Sequence, residues 1–124
     1  MGQILAIGIA GLVGTLMRYW LSGVVDRVAG ETFPAGTLVV NLAGCFLIGF
    51  LFHALTERYL IDPGLRSVIL IGLLGGFTTF SSFGVQTFTM LRDGELWLAS
   101  LNIVASNAGG ILLVWVGYVL SEMI

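Results

Sequence analysis

The sequence predicts an all-α integral membrane protein of four transmembrane helices, with the third helix broken near its middle. Three observations carry that prediction. The composition is 57% hydrophobic and only 10% charged, whereas soluble domains carry about 25% charged residues. Crossing a hydrocarbon core of ~30 Å takes about 20 helical residues, and the 124 residues hold four such runs with short connections. The third run has no charged residue between Arg66 and Arg92, yet its centre reads Gly75-Gly76-Phe77-Thr78-Thr79-Phe80-Ser81-Ser82-Phe83. Adjacent glycines loosen a helix and permit positive φ. Hydroxyls can re-satisfy the backbone groups that a break sets free. Broken backbone at membrane depth is tolerated only where it is buried in protein or lines a wet cavity. Residues 75–83 are therefore expected to be a functional break.

Charged residues punctuate the spans. Span 1 covers about 3–25, with Arg18 its only interior charge, and Asp26, Arg27, Glu31 and Pro34 mark the first loop. The N-terminus has no charged stretch before its apolar run, and that run is too long for a cleaved signal peptide, so span 1 is expected to persist. Ala6, Ala10 and Gly14 recur every four residues in it, and Gly8, Gly11 and Gly14 every three. Small residues at such spacing let helix backbones approach closely in lipid. Span 2 covers about 36–56 and ends at Glu57-Arg58; Asp62-Pro63-Gly64 then forms a turn. Span 3 covers about 66–91. Arg92-Asp93-Gly94-Glu95 is a tight polar turn into span 4, about 96–121, which carries Ser106, Gly109 and Gly110 internally and Trp97 and Tyr118 near its ends. Aromatic residues at those depths suit the membrane interface. No linker or repeat divides the chain, and 1–124 reads as one domain.

Several function classes are excluded. There is no lysine, and a net charge of −2 offers no basic patch for nucleic acid. The lone Cys45 reports nothing about redox compartment. No Asp, Glu or Lys lies inside any span, so a proton relay is missing and passive transport is favoured. A phosphate-binding loop with its lysine is absent. So is a Gly-x-Ser-x-Gly nucleophile, and the single histidine, His53, sits at a span end without companions for a metal site. The chain is not expected to be an enzyme.

Polar residues nevertheless lie within the spans: Thr37 and Asn41 on span 2, Ser82 and Gln86 on span 3, and Asn102 and Ser106 on span 4. Each needs a partner in lipid. Interhelical hydrogen bonds, worth about 0.6 kcal/mol on average, would explain any one of them. Three spans contributing at once, beside a broken helix, point to a shared polar pathway. Arg18 costs roughly 2.5–3.5 kcal/mol at a helix centre and less near an interface. It either snorkels to headgroups or draws anions into a vestibule.

Three motifs match a known family: Gly14 with Arg18 on span 1, Gly36 to Gly44 (GTLVVNLAG) on span 2, and Gly75 to Phe83 on span 3. Across all four spans the chain resembles the Fluc (CrcB) family of small bacterial fluoride channels. The resemblance implies an antiparallel homodimer of four-helix subunits in dual topology, with two fluoride pores at the subunit interface. Its pore phenylalanines correspond to Phe80 and Phe83 and its pore asparagine to Asn41. Thr79, Ser82, Asn102 and Ser106 are expected to add to the ion pathway, and Arg18 and Gln86 to its vestibule. A structural sodium ion would be held by the backbone carbonyls of Gly75 and Thr78 from both subunits. Several members carry Glu in place of Gln86, and Tyr or another polar residue in place of Asn102; both residues here keep hydrogen-bonding ability. The implied activity is passive, selective export of fluoride across the bacterial cytoplasmic (inner) membrane. The implied partners are fluoride, the lipid bilayer and a second copy of the chain.

The residue chemistry agrees. Fluoride is small and strongly hydrated, so a pore must replace its water with donors. Aromatic ring edges carry partial positive charge, and Phe80 and Phe83 share a helix face. Asparagine amides and hydroxyls supply neutral donors, weak enough to release the ion. Taken without the family, those phenylalanines would read as ordinary packing or lipid-facing residues. Two other classes compete. A small dual-topology multidrug exporter needs a membrane-embedded glutamate on span 1, which is missing. A non-transporting membrane subunit would leave the break in span 3 unexplained.

Overall fold

The computed structural model describes all residues from Met1 to Ile124. It is all-helical, and four helices are long and apolar enough to cross a membrane: Gly2–Ala29, Ala35–Arg58, Pro63–Arg92 and Leu96–Met123. The shortest has 24 residues, about 36 Å at 1.5 Å per residue, which exceeds the hydrocarbon thickness. Each helix continues a few residues past the charge-free run that marks it in the sequence. Backbone hydrogen bonding does not stop where the lipid does, so Asp26 and Arg27 belong to the last turn of span 1 rather than to a loop.

Local sequence explains the helix ends. Gly30 follows span 1 at φ 85°, and its N–H returns to the Asp26 carbonyl at 2.9 Å. Asp62 caps the start of span 3 by accepting from the Leu65 N–H at 3.1 Å, with Pro63 in the first helical position, where its missing N–H costs nothing. Gly94 takes φ 79° in the turn between spans 3 and 4. Three π-helical turns, Ala54–Arg58, Val68–Leu73 and Ala105–Gly109, lie within spans 2, 3 and 4. Each widens the helix and advances the side-chain face relative to an α-helical register.

In span 3, helical geometry stops after Leu74–Phe77 and resumes at Phe80–Arg92. Between them Thr78 (φ −88°, ψ 159°) and Thr79 (φ −148°, ψ 114°) are extended. Gly75 and Gly76 are themselves helical. The two halves have different neighbours: the first packs on span 1, the second on the opening helix of span 4, Leu96–Val104. The interruption thus hands span 3 from one neighbour to another.

Small residues permit these contacts. A Cβ at Gly14 would lie 2.9 Å from the Phe77 nitrogen and would collide with the Leu73 carbonyl, while one at Gly76 would strike the Gly11 backbone. Gly8 has nothing within 4 Å, so only part of the small-residue pattern in span 1 lies at this contact. Spans 2 and 4 form the most extensive helix pair. They approach at Gly49 against Val114 and at Gly117 against Phe46 and Phe50, glycines the spacing argument did not single out. At the ends of this pair, His53 Nδ1 pairs with Ser121 Oγ at 2.9 Å and the Tyr118 hydroxyl donates to Glu57 Oε2 at 2.7 Å. Only 16 of 124 residues are buried, so the long apolar faces are left for lipid or for another protein surface.

Candidate functional site

The extended pair Thr78-Thr79 needs partners for backbone groups that a continuous helix would satisfy. Asn41 of span 2 supplies them. Its Oδ1 accepts the Thr79 N–H at 2.8 Å and its Nδ2 donates to the Thr79 carbonyl at 2.9 Å. The asparagine amide thus pairs with Thr79 as a second peptide group would. Thr79 then caps the second half of span 3: its Oγ1 accepts from the Ser82 N–H at 3.3 Å and donates to the Ser82 hydroxyl at 3.0 Å. The Thr78 hydroxyl bonds back to the Leu74 carbonyl at 3.2 Å. On the opposite side, Arg18 Nε donates to the Gly76 carbonyl at 3.2 Å. Arg18 therefore ties span 1 to the approach to the interruption.

A cavity of about 310 Å³ opens beside this knot. It brings together Asn41, Gly75, Thr78, Thr79, Phe80 and Phe83 from the expected site, and Ser106 from span 4. Gly44, Cys45 and Ile48 of span 2, with Leu70 and Leu74, form its apolar wall. No charged side chain lines it. The Phe80 and Phe83 rings lie 5.5 Å apart, tilted by 42°. Phe80 is 81% exposed in the single subunit, with its ring turned away from the four-helix packing.

Other expected site residues lie elsewhere. Asn102 is 2% exposed; its Nδ2 donates to Thr87 Oγ1 at 2.9 Å, and Thr87 in turn donates to the Phe83 carbonyl at 2.7 Å. It fastens span 4 to the second half of span 3 and does not line the cavity. Gln86 Nε2 donates to Thr37 Oγ1 at 3.0 Å, and the buried Gln86 Oε1 has no partner. Gln86 faces a second cavity of about 570 Å³ at the loop end of the molecule, where Asp26, Glu31, Asp93 and Glu95 also lie. Ser82 is engaged with Thr79 and lines neither of these two cavities.

One amide side chain in the cavity was not anticipated. Asn107 lines the first cavity next to Ser106, its Nδ2 bonded to the Ile103 carbonyl at 2.8 Å. Reading span 4 at strict four-residue spacing puts Ser106 and Asn107 on different faces. The π-helical turn Ala105–Gly109 contains both, and both reach the same cavity. The available signal was an unexplained interior asparagine adjacent to a serine already singled out.

Fold and site together define a multi-pass membrane protein with a neutral, polar and aromatic cavity beside an interrupted span. Residues 5–118 match the family described as CrcB-like protein, Camphor Resistance (CrcB), and the chain belongs to that family. A relative from Geobacter sulfurreducens named fluoride-specific ion channel FluC is 49% identical over 117 residues, covering 94% of each chain. Relatives of the same name from Aquifex aeolicus and Nitrosococcus oceani are 40% and 44% identical. The first covers 98% of each chain, the second 95% of this chain and 94% of its own. The relatives are named as channels, a non-enzymatic function.

Proposed function

We propose that this protein is a passive fluoride channel of the bacterial inner membrane, which lets fluoride leave the cytoplasm and so lowers its toxicity. The carrying observation is the near end-to-end likeness to proteins named fluoride-specific channels. The cavity chemistry supports it. Asn41 and Asn107 each have a second amide N–H to offer beyond the one already bonded. The Phe80 and Phe83 ring edges add partial positive charge. Neutral donors can replace the water of a small anion without trapping it.

The working unit is an antiparallel homodimer with two pores at its interface. The exposure of Phe80 supports this, because a ring in lipid would leave one side of the cavity unwalled. A central sodium ion fits the donors present. The Thr79 N–H, which a continuous helix would direct to the Gly75 carbonyl, goes instead to Asn41, and open space lies over Gly75. Carbonyl oxygens freed in this way suit a hard cation. Gly75 and Thr78 from two subunits would hold it, fixing the interruptions together as a structural ion.

Purified protein in liposomes, followed with a fluoride electrode, tests the proposal. Fluoride should leave down its gradient, whereas chloride and a cationic dye should be retained. Proton-coupled dye efflux, or no fluoride flux, would refute it. Flux should persist without a sodium gradient and fall when sodium is exhaustively replaced by a larger cation. Flux that scales with the sodium gradient would mean cotransport.

A further inference from the structure

Span 2 carries Thr37 and Asn41, yet its own start has no capping side chain. It opens Phe33-Pro34-Ala35, and Pro34, at the cap position, makes no side-chain hydrogen bond. The second half of span 3 has its own Thr79 cap and span 3 its Asp62 cap. An uncapped helix start leaves N–H groups unsatisfied at the positive end of the dipole. Here the missing acceptor comes from another helix. Asp26, in the last turn of span 1, accepts the Gly36 N–H through Oδ1 at 2.8 Å, partly buried. Gly36 is what lets it reach: a Cβ there would lie 2.5 Å from the Ser22 carbonyl oxygen and 2.6 and 2.7 Å from the two Asp26 carboxylate oxygens.

The consequence runs along span 2. Thr37, next to Gly36, accepts from Gln86. Asn41, one turn further on the same face, pairs with Thr79. These bonds set the register of span 2 against the second half of span 3, and Asp26 anchors the helix that makes them. Asp26 and Gln86 line the same loop-end cavity.

We propose that Asp26 is a positioning residue for the anion pathway: its carboxylate caps span 2 across the first loop and so holds Thr37 and Asn41 against Gln86 and Thr79. Asp26 acts through span 2 and does not touch the ion. The assignment rests on the fluoride-channel function proposed above.

The test compares fluoride efflux from liposomes for the full-length wild type, Asp26→Asn, Asp26→Ala, Thr37→Ala and the double Asp26→Ala/Thr37→Ala, each checked by gel filtration. Asp26→Asn keeps an acceptor and should conduct close to wild type. Asp26→Ala leaves the Gly36 N–H without its acceptor and should conduct roughly tenfold less. In the Thr37→Ala background, Asp26→Ala should cost less than in the wild type, because the Thr37 part of its effect is already lost while the Asn41 part remains. Wild-type flux in Asp26→Ala would overturn the proposal. So would an Asn variant as impaired as the alanine one, or the same fold-loss in both backgrounds. If Asp26→Ala fails to assemble, Asp26→Glu replaces it: reduced flux in a folded protein supports the positioning role, and wild-type flux overturns it. A wild type that moves no fluoride would instead refute the channel function, and this assignment with it.

Discussion

Asn41 has a double use in this fold. Its amide completes the backbone of the extended Thr79 at both ends, and its second N–H is left for the cavity that it lines. Asn41→Asp would keep the acceptor for the Thr79 N–H but set a carboxylate oxygen against the Thr79 carbonyl. Losing that pairing in a partly buried site costs about 1–3 kcal/mol, and a fixed negative charge would repel a permeating anion. Fluoride efflux from liposomes should be abolished. Phe80→Ile should abolish it too, by removing the ring edge while keeping an apolar side chain of useful bulk. Both variants should elute from gel filtration as the wild type does, and wild-type efflux in both would remove these residues from the pathway.

At the level of helices, the contact of span 1 with the first half of span 3 is set by glycine. Gly14 and Gly76 have no room for a methyl group, whereas Gly8 does. Gly14→Ala forces backbone apart at a close crossing and should destabilise by about 1–3 kcal/mol, as overpacking does. Gly8→Ala should stay within about 0.5 kcal/mol of wild type. Thermal unfolding in detergent measures both, and equal midpoints for the two variants would show that Gly14 is not at a tight contact. The same contact explains why the interruption falls where it does. Span 3 stays against span 1 through Phe77 and turns to span 4 from Phe80. Two extended threonines, with Asn41 to satisfy one and a hydroxyl back-bond on the other, make the change of direction.

For the whole molecule, the charges at the two ends are balanced. Arg58 and Arg66 lie at the end that holds the termini and the second loop, and Arg27 and Arg92 at the other. Arg18, which could have tipped the count, is held at the Gly76 carbonyl. Arg92 is also paired with Asp93 at 3.1 Å. Orientation follows Lys and Arg in short loops, and two against two gives no preference, so copies inserting both ways would supply an antiparallel pair. Two lysines added to the second loop, or to the first, should fix opposite orientations. Each such variant alone should lose fluoride flux, and co-expression should restore it. Conduction like wild type by either variant alone would exclude the antiparallel assembly.

The four helices were legible in the sequence because crossing hydrocarbon demands long apolar runs, and charged residues bracket each run even though the helices continue past them. The family was legible because the motifs at Gly36–Gly44 and Gly75–Phe83 are long and unusual for apolar helices. Much of the cavity could be named from these motifs, since Asn41, Thr79, Phe80 and Phe83 do converge on it, with Ser106 of span 4 beside them. What the sequence left open depended on helix pairing. The break is expected somewhere in 75–83; within that stretch Gly75 and Gly76 are helical and the extended residues are Thr78 and Thr79, where Asn41 can reach across from span 2. Asn102 looked equivalent to Ser106 one turn away, yet it is buried against Thr87. Asn107 went unnoticed because the cavity is bounded by neighbouring spans and takes in adjacent residues of span 4, which spacing along one helix does not reveal. Asp26 read as a loop charge until the fold set it against the N–H of Gly36. A linear pattern fixes which residues a helix must bury or expose. Only the packed helices decide which backbone groups fall within 3 Å of a side chain on a different span, and that distance determines whether a polar residue is left to line the cavity or holds the protein together.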